Sequence, residues 1–188
     1  MSDLTFASPV RAASRPERST DDRMPSRITE ILLDDRTWSE APKRRRLEWR
    51  TALDDLLADH VLGGQAAQGD DELLLVVTAD PQRVELDLRT ADGRDFAQIV
   101  IATSDLQAHL REYLTICEQL GRLRDPRHSP HWEALDIGKR IAHDEAAETV
   151  QRICAPLGLD LQTARRLFTL LVTLHFDTTR LALPTHGH

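Results

Sequence analysis

Residues 72–103 read ELLLVVTADPQRVELDLRTADGRDFAQIVIAT, and this stretch decides the fold. Leu73–Val77 is apolar without interruption, the pattern of a strand buried on both faces. Asp80-Pro81-Gln82 turns the chain. From Arg83 to Ala91, Val84, Leu86 and Leu88 alternate with Glu85, Asp87 and Arg89, the two-residue period of a half-buried strand. Asp92-Gly93 is a two-residue hairpin signal, and Asp95 to Thr103 supplies the returning strand. Pairing Ala91 with Arg94 sets Leu88 opposite Ala97, Leu86 opposite Ile99 and Val84 opposite Ile101, so the apolar faces agree. The stretch is a three-stranded antiparallel meander.

Upstream, Arg27 to Asp34 reads as a short strand with Ile28, Ile31, Leu32 and Leu33 as its apolar content. Ser39 then offers an N-cap, with Glu40 and Pro42 in the first turn. One helix is expected from there to about Leu62, with Trp49, Leu53, Leu56, Leu57 and His60 on its inner face and Gly63-Gly64 ending it. Downstream, Ser104-Asp105-Leu106-Gln107 matches a capping box, opening a helix to Leu120 that turns Leu106, Leu110, Tyr113, Cys117 and Leu120 inward. Arg122 to Ser129 reads as a linker, and Ser129-Pro130 as the cap of a helix from His131 to about Cys154. Pro156 and Gly158 break that helix, and Asp160 caps the last one, Leu161 to Phe176. Strands followed by a run of helices give an α+β domain: a short N-terminal strand and helix, the meander, then three C-terminal helices packed on the sheet. The single domain is expected over 27–177. Residues 1–26 lack apolar periodicity and read as a disordered tail, and 178–188 as a short flexible one. Met24 stands just before the first strand and is a candidate translation start, which an intact mass would decide.

Two stretches resemble a known family. Trp132-Glu133-Ala134-Leu135-Asp136-Ile137-Gly138-Lys139-Arg140, continuing to His143-Asp144-Glu145, is one. The other is Thr163-Ala164-Arg165-Arg166-Leu167-Phe168-Thr169-Leu170, ending Leu174-His175. Together they resemble uncharacterised protein family 0262 of the UPF series, small proteins of alphaproteobacteria. Leu32-Leu33-Asp34-Asp35 and the helix Tyr113…Ile116-Cys117-Glu118 are also similar. The chain departs from the family pattern at Asp144, where Asn is usual, and at Ala146, where a glycine follows the glutamate. The resemblance implies no activity, cofactor or catalytic residue.

The chain has 188 residues, 24 basic against 31 acidic, and a formal charge of −7. All basic residues are Arg except Lys43 and Lys139, so a single Arg is weak evidence for phosphate binding. The acidic excess lies mostly in Gly63 to Asp105, whereas Lys43-Arg44-Arg45-Arg46 and Arg122-Arg124-Arg127 form small basic patches. This balance disfavours a nucleic-acid partner. If the Lys43–Arg46 run did bind nucleic acid, affinity would fall steeply with salt; a solvated run is the simpler reading. No apolar run approaches the roughly 20 residues of a membrane span. Two cysteines exclude a disulfide scaffold and, with no secretory signal visible, point to the cytoplasm.

On a helical wheel centred on Leu135, the inward stripe is Gly138, Ala142, Ala146, Val150 and Ile153, with Asp136, Arg140 and His143 together on its flank. Such a row can orient a carboxylate or phosphate, with His as proton donor. The plainer reading is an i,i+4 ion pair worth about 0.2–0.5 kcal/mol. Ile137 and Ile141 lie away from the stripe, so this helix is expected beneath its neighbours, with a homodimer interface as the alternative. His175 falls on the apolar face of the last helix near its C-terminus, which favours its charged form; a core histidine is the simpler role. Arg165 and Arg166 lie on the polar side, where one could reach Asp136 or another acid of the neighbouring helix; a solvated face is the simpler reading.

Walker, Rossmann and Gly-x-Ser-x-Gly signatures are absent, so no cofactor is expected. His143-Asp144-Glu145 matches only half of a zinc-deaminase signature, and His186-Gly187-His188 is too sparse for a specific metal site, so no metal is expected either. Cys117 should be inert in its core-facing stripe. Two readings follow. One is a non-catalytic binding or regulatory module for a protein or small anionic ligand. The other is a small enzyme acting on an anionic metabolite. The candidate residues are Asp136, Arg140, His143, Arg165 and His175. The enzyme reading requires His143 and His175 to converge with an Arg in one pocket.

Overall fold

Alternation in the meander is what the folded chain uses. In the computed structural model, which describes residues 26–64, 69, 71–123 and 130–176, β2 (Glu72–Ala79), β3 (Arg83–Thr90) and β4 (Asp95–Ala102) form that antiparallel meander. Leu73, Leu75 and Val77 of β2, Val84, Leu86 and Leu88 of β3, and Ile99 and Ile101 of β4 are all buried. Each fully buried aliphatic side chain contributes about 1.5–3 kcal/mol. β1 (Arg27–Leu33) joins the sheet parallel to β2, giving a four-stranded mixed sheet in the order β1-β2-β3-β4. A parallel neighbour needs a crossover, and the segment holding α1 (Asp35–Glu40) and α2 (Lys43–Ala58) supplies it. Leu74 and Val76 stay half-buried on the opposite sheet face, where Val100 is 48% exposed. The expectation that β2 is buried on both faces is therefore corrected: only one sheet face is fully covered.

The expected pairs Leu88–Ala97, Leu86–Ile99 and Val84–Ile101 form. The turn differs from the two-residue hairpin expected. Gly93 N–H donates to Thr90 O at 2.8 Å, Thr90 N–H donates to Arg94 O at 2.9 Å, and Gly93 has φ +84. This is a three-residue loop with glycine in the left-handed region. The register then shifts, pairing Arg89 with Asp95 and leaving Phe96 as the extra residue of β4.

The single helix expected from Ser39 is two helices. Ala41, preceding Pro42, is extended at φ −86 and ψ 143, as the proline ring demands of its neighbour. Asp34 caps α1 by accepting from the Arg36 and Thr37 N–H groups, and Pro42 is the N-cap of α2. Helix α2 stops at Ala58 rather than near Leu62, because tertiary bonds claim the following backbone. Val61 N–H donates to Thr163 Oγ1 at 2.8 Å, and Gly63 N–H to Leu157 O at 2.9 Å. His60, off the helix, accepts from Ile28 N–H at 2.9 Å while its Nδ1 lies 3.2 Å from Leu57 O, a pairing that fixes the Nδ1–H tautomer.

α3 (Thr103–Arg122) buries the five side chains expected of it, but its capping box does not form. Thr103 N–H is held by Gln82 O at 2.7 Å, so β4 runs directly into the helix and Ala102 takes the N-cap position. α4 (Pro130–Ile153) buries Ala142, Ala146 and Val150 as the wheel requires. Ile137 and Ile141 are 46% and 53% exposed, so the expectation that neighbouring helices cover that side is corrected. A turn of 3-10 helix, Ala155–Leu157, ends at Gly158 with φ +54. Asp160 then caps α5 (Leu161–His175) by accepting from Thr163 N–H at 2.7 Å. In the helical layer α3 packs on α4, α4 on α5 and α5 on α2.

Ser26, assigned to the tail by sequence, is buried, and its Oγ accepts from Asp71 N–H at 3.3 Å. The rest of the expected N-terminal tail with Met24, residues 177–188, most of the polar loop 65–70, and linker residues 124–129 with the Ser129 cap lie outside the described residues.

Candidate functional site

Helical spacing brings Tyr113 of α3, Lys139, Arg140, His143 and Asp144 of α4, and Gln162, Arg165, Arg166 and Thr169 of α5 around one cleft of about 430 Å³. Its floor is aromatic. The Tyr113 and His143 rings stack at 5.4 Å and 29°, and Phe168 lies 5.6 Å from Tyr113 and 5.5 Å from His143. Thr169 directs its hydroxyl to Arg165 O at 3.1 Å, so its 3.2 Å contact with His143 Nε2 is a bond that the ring donates.

Lys139 is 5% exposed, although lysine is among the residues least often buried. Its Nζ lies 5.8 Å from the Tyr113 ring centroid. Among the described residues no carboxylate forms an ion pair with it. The three guanidinium groups of the cleft are each paired. Arg140 meets Asp136 at 2.8 Å, Arg166 meets Asp59 at 2.5 Å, and Arg165 bonds Asp144. Lys139 is therefore the cation of the cleft that forms no carboxylate ion pair among the described residues. Burial pushes the Tyr113 hydroxyl well above its ordinary range, and the adjacent Cys117 adds to the effect. Burial also raises the Cys117 thiol, opposed by the Lys139 charge and by the Tyr113 hydrogen bond.

Of the residues singled out by sequence, Arg140, His143 and Arg165 line this cleft. Asp136 is paired with Arg140 beside it, the plainer i,i+4 reading. His175 is elsewhere, in a second cleft of about 510 Å³ beside Ala79 at the end of β2, with Thr37, Arg45, Trp49, Asp80 and Thr103. The two histidines do not converge. His175 Nε2 lies 2.8 Å from Thr103 Oγ1. Its pKa is held below the ordinary imidazole value by burial and then by the Arg45 charge, against a smaller pull from Asp80. The expectation that the helix C-terminus favours its charged form is corrected: burial and then the Arg45 charge move it the other way. Arg45 itself caps α5: Nη2 donates to Leu174 O at 2.6 Å, while Trp49 Nε1 donates to Thr173 O at 2.8 Å.

Sequence reasoning missed Lys139, Tyr113, Asp144, Gln162, Arg166 and Thr169 as members of the cleft. A signal for Lys139 was present: it sits four residues after Leu135 and three before Ala142, on the inward stripe of an otherwise lysine-poor chain. Among the described residues no group of three or more His, Cys, Asp and Glu side chains is placed to hold a metal ion. Nor is any helix among them long and apolar enough to cross a membrane.

The profile of the Uncharacterised protein family (UPF0262) matches residues 25–177, which includes the whole cleft. A UPF0262 protein of Phenylobacterium zucineum is 32% identical over 158 residues, 83% of this chain and 97% of the relative. Those of Methylobacterium radiotolerans and of Bradyrhizobium sp. strain BTAi1 are 30% and 28% identical, over 82% and 83% of this chain and 96% and 93% of theirs. No solved structure matches the chain. With the family model spanning the sheet and all the described helices, the chain belongs to the Uncharacterised protein family (UPF0262).

Proposed function

We propose that the protein is a non-catalytic binding module that takes one anionic group of a small ligand, a carboxylate or a phosphate, in the cleft between α3, α4 and α5. The observation that carries this reading is Lys139, a residue 5% exposed that lines the cleft beside an aromatic ring and forms no carboxylate ion pair among the described residues. A cation held in a concave, aromatic-floored cleft without an ion-pair partner suits an anionic group of a ligand. The surrounding guanidinium groups already have partners, which argues for a single anionic group rather than a polyanion. His143, fixed by Thr169 and stacked on Tyr113, forms a rigid wall against which the rest of a ligand would pack. The competing reading, an enzyme using His143 and His175 together, lacks its geometric basis because they line different clefts.

Thermal melting of the full chain in rising inorganic phosphate, malonate and chloride tests the proposal. The expected result is a saturable stabilisation by phosphate or malonate beyond that of chloride, abolished in Lys139→Met. Equal stabilisation by all three, or stabilisation surviving in the variant, overturns it.

A further inference from the structure

A second surface, away from the Lys139 cleft, carries a different chemistry. Trp38 of α1 is flanked by two cations of α2, with the Arg46 guanidinium 5.9 Å and the Arg50 guanidinium 5.6 Å from its ring centroid. These side chains, with Lys43, Arg44 and Leu47, line a hollow of about 730 Å³. Leu47 is 64% exposed. Trp38 and Arg50 also line an adjoining hollow of about 340 Å³ with Leu32, itself 44% exposed on the edge strand β1. Among the described residues no ion pair joins Lys43, Arg46 or Arg50 to a carboxylate. Of the nearby acids, Glu40 is paired with Arg36 at 3.3 Å, while Asp35 and Asp54 line the smaller hollow beside Arg50 and offset part of its charge without an ion pair among the described residues. Arg46 Nε is buried and, among the described residues, has no hydrogen-bond partner. That is a costly state for a charged donor. Lys43 opens α2, where positive charge opposes the helix dipole.

We infer that this groove docks an acidic, partly apolar peptide segment of a partner protein. Its carboxylates would meet Lys43, Arg46 and Arg50, and its apolar side chains Trp38, Leu47 and Leu32. Charge complementarity selects the sign of the partner in a chain whose own net charge is −7. Screening lets the local basic groove outweigh the distant acidity for a short peptide, whereas a nucleic acid or an anionic bilayer carries its dense negative charge past the groove and meets the acidic remainder of the surface. The exposed leucines give an apolar segment a purchase that a phosphate backbone does not use, and the concave shape suits one strand of peptide better than a flat lipid surface.

The test is fluorescence anisotropy of a fluorescein-labelled peptide of repeating Glu-Leu-Glu-Ser titrated with the full chain. Saturable binding that weakens with salt is expected, together with loss of binding when Gln replaces every Glu of the peptide. The double variant Arg46→Gln/Arg50→Gln should bind about tenfold more weakly, the size of effect expected for central interface cations. Lys139→Met and the distant Arg111→Gln should bind as the wild type. If the double variant fails to melt cooperatively, Lys43→Gln at the exposed helix start replaces it, with roughly threefold weakening expected. No binding, wild-type affinity in both Arg46→Gln/Arg50→Gln and Lys43→Gln, or equal capture of oligothymidylate or phosphatidylglycerol vesicles overturns the inference.

Discussion

Replacing Lys139 by Met separates a ligand-binding charge from a structural one. Methionine keeps the volume and apolar stem of lysine, so the packing cost is small. What is removed is the ammonium of a residue that is 5% exposed overall and has no carboxylate ion pair among the described residues. Its stem is buried while its charge reaches the cleft, so little desolvation cost opposes it. The Tyr113 ring at 5.8 Å contributes about 0.5–1 kcal/mol. The net expectation in anion-poor buffer is that Lys139→Met lies within about 1 kcal/mol of the wild type. For a domain of this size that is at most about 2–4 °C in Tm. Urea unfolding followed by circular dichroism reads the difference directly. Saturating phosphate should then separate the two: a ligand at a hundred times its Kd adds about 2.7 kcal/mol to the wild type and nothing to the variant. Destabilisation of Lys139→Met by more than about 1 kcal/mol in anion-poor buffer would refute the reasoning, because the ammonium would then be making net favourable contacts within the fold.

Three further outcomes follow from the geometry. His175 has a folded pKa below its ordinary 6.5, so its contribution to stability is complete above about pH 6.5 and is lost as the pH falls through the folded value; His175→Gln should flatten the pH dependence of urea midpoints in that window and leave it unchanged above. Cys154 is pushed up to about 12 by burial and Cys117 is also raised, so iodoacetamide at neutral pH should label neither in the native chain and both in urea, as read by intact mass. Gly158→Ala should cost more than about 2 kcal/mol, since the left-handed backbone at φ +54 disfavours a side chain and its Cβ would sit 2.6 Å from Gly63 C and Gly64 N; Gly93→Ala, at φ +84 with open space around it, should cost only about 1 kcal/mol in the same denaturation assay.

The sheet was legible because its apolar alternation is strict. One register satisfied the Leu88–Ala97, Leu86–Ile99 and Val84–Ile101 pairs, and only the turn, decided by a single glycine conformation, departed from it. The inward faces of α3 and α4 were legible for the same reason. Helix ends were less so. Neither the stop of α2 at Ala58 nor the unused capping box of α3 follows from local residues, because distant partners, Thr163 for Val61 and Gln82 for Thr103, decide which backbone groups are spent. Helix periodicity put His143 and Arg140 on a flank, and the fold brought Arg165 to them. It could not show that His175, two turns along α5 from Thr169, belongs to another cleft. Lys139 escaped because a charge on an inward stripe reads as an interruption of the core until the neighbouring helix shows what surrounds it.

The most direct test of the Lys139 cleft is an NMR titration of the full chain with inorganic phosphate, following the ring resonances of its histidines. His143 lies in the cleft beside Lys139, and His175 lines the other one, so the two rings report on separate places. The expected result is a saturable shift of the His143 resonances at constant pH, with His175 unmoved and the response absent in Lys139→Met. A shift that follows His175, or none at His143 up to concentrations where chloride has the same effect, contradicts the account.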